Sequence, residues 1–270
     1  MTSGYVDEIF SSFQGEGAAI EGSCYGLRQI FVRFSGCPLA LGVHQTKGCV
    51  WCDSPRAKSK KSKFCLIEAQ AGSQKFNRIN NPITANELLE IVKKLKTPDL
   101  HSISLTGGEP LYQPEFLKEF LTLLKENNFI TYLETAWTDD FYFLREISKF
   151  IDFACVDVKD RSANAAKDWA KLVDEEVEMC NTLAKSKNTK VFAKVVVSKA
   201  TKTEDIHYIT KKCGEADIPL VIQVLSPVEH NSLEPPSWQQ IQEFTAIAAK
   251  YLPPTKIGLS VQVHKLINIL

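Results

Sequence analysis

Two hydrophobic rhythms alternate along this chain. Short apolar runs of strand length stand at 29–36 (QIFVRFSG), 101–110 (HSISLTGGEP, which breaks into a glycine turn), 130–135 (ITYLET), 151–159 (IDFACVDVK), 190–198 (KVFAKVVVS), 220–227 (LVIQVLSP) and 257–261 (IGLSV). Between them lie segments whose apolar residues recur every three or four positions, the period of a helix with one buried face. These are 84–95, 113–128, 139–150, 163–185, 202–214 and 236–252. Thr84 followed by Glu87 reads as a capping box, Pro114 sits in a first turn, and Gly214 reads as a residue just past a helix end. Strand and helix in strict alternation predict a parallel sheet with crossover helices. The count predicts an α/β fold of the partial (βα)6 barrel type, one domain over 1–270, with its chemistry at the C-terminal ends of the strands. Residues 54–82 break the rhythm. They are polar, carry the lysine-rich RAKSKKSK, and read as a surface insertion. Its first reading is a solvated loop, and its second a contact for a partner or nucleic acid.

Composition narrows the function classes. The 270 residues are 44% hydrophobic and 24% charged, with formal net charge zero, as for an ordinary globular protein. A dedicated nucleic-acid binder shows a basic surplus, and a membrane helix needs about 18 apolar residues in a row; this chain has neither. The start, MTSGYVDEIF, lacks a signal-peptide pattern. The expectation is a cytoplasmic protein, where disulfides are rare and clustered cysteines point to metal or redox chemistry.

The residues just past each strand are unusually polar. In chain order they are Cys37, Cys49, Cys52, Asp53 and Ser54; Thr106, Gly107, Gly108, Glu109 and Pro110; Glu134 and Thr135; Asp157 and Lys159; Ser198; Gln223 and Ser226. Three thiolates on one loop can hold three irons of a four-iron cluster and leave the fourth iron open to a small molecule. The alternative is structural zinc, with His44 as fourth ligand. Of the other cysteines, Cys155, Cys180 and Cys213 read as core, and Cys24 and Cys65 stay unassigned. In TGGE, glycines let a ligand approach the backbone closely. Beside an open-iron cluster, that turn suits the methionyl part of S-adenosylmethionine.

With these residues in view, the chain resembles radical S-adenosylmethionine enzymes. More narrowly, it resembles the 7-carboxy-7-deazaguanine synthase family of 7-deazapurine (queuosine and archaeosine) biosynthesis. The resemblance is carried by EIFSSFQGEG (8–17), FVRFSGC (31–37), CVWCDS (49–54), SLTGGEP (104–110), LETA (133–136) and LSVQVHKL (259–266). FQGEG and QVHK are the narrowing pieces. The resemblance implies a lyase that converts 6-carboxy-5,6,7,8-tetrahydropterin to 7-carboxy-7-deazaguanine and ammonia. A 5′-deoxyadenosyl radical, made from S-adenosylmethionine at a reduced 4Fe-4S cluster, starts the reaction at the substrate's C6.

It implies roles by position. Cys37, Cys49 and Cys52 match the cluster ligands. Phe13, Gln14, Gly15, Glu16, Arg33 and Thr106 match substrate contacts, with Arg33 facing the substrate carboxylate, and the last residue, Leu270, is nominated too. Gly108, Asp157, Val158, Lys159, Gln223, Val224, Leu225 and Ser226 match cofactor contacts. Ser54 stands where the family has a threonine that ligates Mg2+. A homodimer and a flavodoxin or ferredoxin electron donor are also implied. Three features depart from the family pattern: C-x11-C-x2-C in place of C-x3-C-x2-C, DVK (157–159) in place of SPK, and the 54–82 insertion. Asp157 and Lys159 resemble glycyl-radical-activating enzymes, which act on a protein partner, and that is the second reading.

Overall fold

The computed structural model describes residues 2–226, 233–267 and 269. Its frame is a ten-stranded sheet. Seven parallel strands form the larger part: β3 (Arg28–Phe34), β7 (Leu100–Gly107), β8 (Thr131–Thr135), β9 (Phe153–Val158), β10 (Lys190–Val197), β11 (Leu220–Val224) and β12 (Ile257–Ser260). Six helices connect them in turn: α1 (Ala85–Lys94), α2 (Pro114–Glu126), α3 (Phe141–Ser148), α4 (Trp169–Ala184), α5 (Thr203–Glu215) and α6 (Trp238–Ala248). A short α7 (Val263–Leu266) follows β12. This is the expected partial βα barrel.

Three further strands lie beyond β3. Strand β2 (Val6–Phe13) runs antiparallel to it, and the hairpin β4 (Phe64–Glu68) with β5 (Phe76–Asn80) extends the sheet past β2. A small separate pair joins β1 (Ser3–Gly4) to β6 (Ile83–Thr84). The 54–82 segment is thus no mere solvated loop. Cys65 of β4 is fully buried, and buried Glu68 accepts hydrogen bonds from Ser11 N (2.9 Å) and Gln74 N (2.8 Å).

Strand parity decides what the barrel holds. Successive side chains point to opposite faces of a sheet. Ile30, Val32, Ile103, Leu105, Leu133, Ala154, Val156, Val158, Ala193, Val195, Val197 and Ile222 face the helices and build the main core. The opposite parity lines the interior. At one end it is apolar, with Cys24, Tyr132, Cys155, Phe192 and Val221 packed together. Further along the same strands it turns polar, with Thr106, Glu134, Asp157, Lys194 and Gln223. The barrel is therefore plugged at one end and chemically dressed at the other.

Local chemistry sets the helix ends. Thr84 and Glu87 form the capping box expected of them, and Ser237 with Gln240 forms another at α6. Two expectations are corrected. The helix expected from 163 starts at Trp169, because Asp160 caps a separate 3-10 turn at Arg161–Ala163. Asn164 then reverses the chain in a left-handed conformation, and Asp168 caps α4. Gly214 lies inside the last turn of α5, not beyond it. A Cβ there would stand 2.6 Å from the Tyr251 carbonyl oxygen, so close approach of the chain requires the glycine.

Candidate functional site

The polar end of the barrel opens into a cleft of roughly 1190 Å³, counting its mouth. Sixteen of the site residues expected from sequence line it: Phe13, Gln14, Gly15, Glu16, Arg33, Cys37, Cys49, Cys52, Ser54, Thr106, Gly108, Asp157, Lys159, Gln223, Leu225 and Ser226. Val158 and Val224 do not. They have the opposite parity on β9 and β11, and Val158 belongs to the core against the helices. Leu270 lies outside the described residues.

The cysteine loop is anchored from several sides. Gly36 N donates to the Ala57 carbonyl (2.8 Å), and Gly108 N donates to the Phe34 carbonyl (2.8 Å). A Cβ on Gly108 would come within 2.2 Å of the Gly36 oxygen and 2.6 Å of the Ala57 oxygen. The glycine thus lets three backbone segments meet beside Cys37, a packing reason that adds to any ligand reason. Glu109, next in TGGE, is buried and points away from ligand duty. Its carboxylate accepts from Leu111 N (3.1 Å), Thr135 Oγ1 (2.7 Å), Ala136 N (2.9 Å) and Trp137 N (3.2 Å), tying the β7 turn to the end of β8. Burial pushes the Cys37 thiol up, and the Cys49 thiol up to about 12. His44, the alternative zinc ligand, packs edge-on against Trp137 (ring centroids 4.8 Å apart) with Nε2 3.6 Å from Glu175, away from the cleft lining.

Across the cleft stands a charge network that sequence reasoning only half found. Lys194, 2% exposed, lies under three carboxylates. It pairs with Glu16, with Glu134 (2.9 Å) and with Asp157 (3.8 Å). Lys159 pairs with Asp157, and Thr106 Oγ1 donates to Glu134 (2.9 Å). Glu16 also accepts from Gln223 Nε2 (3.2 Å) and Gln262 Nε2 (2.5 Å). Burial by itself would raise the Glu16 pKa; Lys194, the Gln262 hydrogen bond and His264 outweigh it and hold the carboxyl well below the usual range. Glu134 goes the other way: burial, with Glu16 nearby, outweighs Lys194 and raises it. Sequence reasoning misses Lys194, and reads Gln262, His264 and Lys265 only as part of the QVHK motif, without a role in the site. The signal for Lys194 was a lone lysine at inward parity within VFAKVVV.

The C-terminal segment closes the wall. Val263 N donates to the Gly15 carbonyl (3.1 Å), the His264 ring occupies the space a Gly15 Cβ would take, and Lys265 pairs with Asp53 (3.3 Å). On the other side Arg33 donates to Ser54 Oγ (2.6 Å), and Ser54 donates to Asp53 Oδ1 (3.1 Å). Phe10 and Phe31 stack at 5.1 Å below Arg33. The cleft thus has a thiol wall, a carboxylate held on a buried lysine, and a guanidinium beside a hydroxyl.

Known proteins share this arrangement of sequence. Residues 33–160 match the Radical SAM superfamily. A 7-carboxy-7-deazaguanine synthase of Thermococcus kodakarensis is 39% identical over 97% of this chain and 98% of its own. The chain belongs to the 7-carboxy-7-deazaguanine synthase family. Its relative of that name in Methanocaldococcus jannaschii is 33% identical over 98% of this chain and 100% of its own. In fold, it resembles a radical SAM methyltransferase from Sphaerobacter thermophilus, with a TM-score of 0.56 over 87% of this chain and 66% of that one at 14% identity. Members of the radical SAM superfamily use a 4Fe-4S cluster and S-adenosylmethionine. The residues present fit both. Cys37, Cys49 and Cys52 all line the cleft, and three thiols suit a cluster that takes one thiolate per iron. Beyond them, Gln223 Oε1 is buried without a hydrogen-bond partner, and Asp157 Oδ1 has only its 3.8 Å ion pair with Lys194; a polar ligand would satisfy the former.

Proposed function

We propose that this protein is a radical S-adenosylmethionine lyase that converts 6-carboxy-5,6,7,8-tetrahydropterin to 7-carboxy-7-deazaguanine with loss of ammonia. One observation carries the reading. A single cleft faces three thiols with an anionic Glu16 and a cationic Arg33. The substrate has the matching pair, a guanidine-like edge of N–H donors and a carboxylate. A carboxylate offers about four acceptor sites, and the protein occupies three of those on Glu16, leaving one on Oε2 for the pterin edge. Arg33 keeps N–H groups to spare beyond its bond to Ser54 and its ion pair with Glu8 (3.5 Å), and arginine suits two-point binding of a carboxylate. Phe13, Gln14, Gly15 and Thr106 complete the substrate wall.

Cys37, Cys49 and Cys52 would hold the cluster. Gly108, Asp157, Lys159, Gln223, Leu225 and Ser226 would hold S-adenosylmethionine, with Val158 and Val224 reduced to their backbone groups. Bound there, cluster and cofactor supply hydrogen-atom abstraction, chemistry no side chain here provides. The protein's share is to bind both molecules, align them and exclude water.

Ser54 would ligate Mg2+, with substrate oxygens and water completing the shell, as a hard cation that keeps several waters prefers. Arg33 already donates to that hydroxyl and Asp53 lies beside it, so the ion's charge would be balanced by Asp53 and the substrate carboxylate. If so, Ser54→Ala raises the Mg2+ concentration for half-maximal rate about tenfold, a 1.4 kcal/mol effect; an unchanged Mg2+ titration removes Ser54 from the metal site. The chain would work as one radical SAM domain over 1–270, as a cytoplasmic homodimer reduced by a flavodoxin or ferredoxin, a reading that rests on the family resemblance.

The test is anaerobic. Iron- and sulfide-reconstituted protein is reduced and given S-adenosylmethionine, Mg2+ and the carboxypterin. Ammonia and the deazapurine chromophore appearing in equal amounts is the expected result. 5′-Deoxyadenosine without deazapurine would keep the fold and its chemistry but reject the substrate, and would turn attention to Asp157 and Lys159 and a protein partner.

A further inference from the structure

The proposed reaction is redox-neutral overall, but it starts only once the cluster has been reduced by one electron from outside the chain. Resting on that reading, a face beside the cysteine loop shows where that electron enters. The 3-10 turn Pro55–Lys58 lies against the loop's backbone. Ala57 is fully buried and its carbonyl accepts from Gly36, the residue before Cys37. Lys58 Nζ donates to the Cys49 carbonyl (3.4 Å). Lys60 sits over the Tyr112 ring (5.8 Å), and that ring fills the space beside Gly36. The basic segment is therefore fastened at both ends of the C-x11-C loop, directly behind two of its cysteines.

Its charge is unspent. Arg56 is neutralised by Asp7 (3.2 Å) and Glu8 (3.1 Å). Lys60, Lys61 and Lys63 have no carboxylate partner among the described residues. They rest over Tyr112, Tyr5 (5.6 Å) and Phe64 (5.2 Å), exposed to solvent. In a chain of formal net charge zero this is a local concentration of positive charge. The cations sit on a segment whose backbone meets the cysteine loop, so an acidic protein held by them would lie next to that loop.

We infer that the lysine-rich segment 56–63, fastened to the backbone of the cysteine loop, docks an acidic one-electron carrier protein. One electron leaves the carrier's reduced centre and enters the oxidised cluster behind Cys37 and Cys49. The carrier is oxidised by one, the cluster is reduced by one, and no bond or proton is exchanged. Unpaired surface charge of this kind acts mainly on encounter rate and is screened by salt. The departures from the family pattern, the lengthened loop and the basic insertion, then form one device.

The test compares the triple variant Lys60→Glu, Lys61→Glu, Lys63→Glu with a control that carries the same charge change on scattered exposed lysines, Lys94→Glu, Lys187→Glu, Lys250→Glu. The probe is a reduced flavodoxin of strongly negative net charge. Stopped-flow absorbance follows cluster reduction, and a binding isotherm follows the complex with or without the cluster. Expected is a fall of at least about tenfold in reduction rate and affinity at low salt for the first variant only. The difference should shrink as salt shortens the Debye length toward ~3 Å near 1 M. Reduction by dithionite should be unchanged. Equal losses in both variants, or none in the first, would overturn the docking face. So would a single-stranded RNA that competes with flavodoxin for the same lysines more tightly than flavodoxin binds. If dithionite fails to reduce wild-type protein, the cluster reading falls, while the isotherm and its salt dependence still judge the docking surface.

Discussion

At the scale of single residues, the account turns on Lys194 and the carboxylates above it. A lysine buried to this degree is tolerated only because Glu16, Glu134 and Asp157 surround it. Lys194→Met leaves those carboxylates facing each other and should cost about 3–5 kcal/mol, as breaking a buried pair does, read as a fall in the urea midpoint. Glu16→Gln is milder, since Glu134 and Asp157 remain, and it carries a pH signature. The folded-state carboxyl is held below the ordinary 4.5, so between that low value and 4.5 the unfolded chain binds more protons, and stability rises with pH there. The stability gap between wild type and Glu16→Gln should be constant from pH 7 to 5 and shrink below 4.5. A gap that grows on acidification would contradict the assignment. Gly108→Ala should fail for a different reason. Its methyl would press on the Gly36 and Ala57 carbonyls, displacing Cys37, and reconstituted iron should drop well below four per chain. Retention of full iron with unchanged thermal midpoint would show that the turn absorbs the methyl.

Among elements, the C-terminal segment matters most. Gln262, His264 and Lys265 follow the last barrel strand and clamp the loop that carries Gly15 and Glu16. Gly15→Ala should collide with the His264 ring, an overpacking worth about 1–3 kcal/mol. That predicts a substrate KM roughly tenfold higher with S-adenosylmethionine affinity unchanged. The double variant Gly15→Ala, His264→Ala should recover most of the loss, and failure to recover would mean the two residues do not share that space. Sequence alone made much of this architecture legible. The parity of the parallel strands sorts Asp157, Lys159 and Gln223 from Ala154, Val156 and Ile222, and the capping pair Thr84 and Glu87 fixes where α1 begins. What stayed hidden depends on long-range pairing. Strand β2 carries Asp7, Glu8, Ser11 and Ser12, which mask its period until Arg56, Glu68 and Arg28 are seen to satisfy them. The hairpin β4–β5 was obscured by the lysines before it. Lys194 reads as a blemish in an apolar strand until Glu16, 178 positions away, is brought onto it.

The whole molecule is a partial barrel, apolar at one end of its interior and charged at the other, with a cysteine loop and a C-terminal clamp folded over the charged end. That cleft would hold S-adenosylmethionine beside the pterin and exclude water, and the proposed redox-neutral reaction implies a cofactor that is not spent. The measurement that tests this most directly is the count of deazapurine formed per S-adenosylmethionine lost during anaerobic turnover with excess carboxypterin. The account predicts many products per cofactor consumed. Cofactor lost in step with 5′-deoxyadenosine, and no deazapurine, would contradict it.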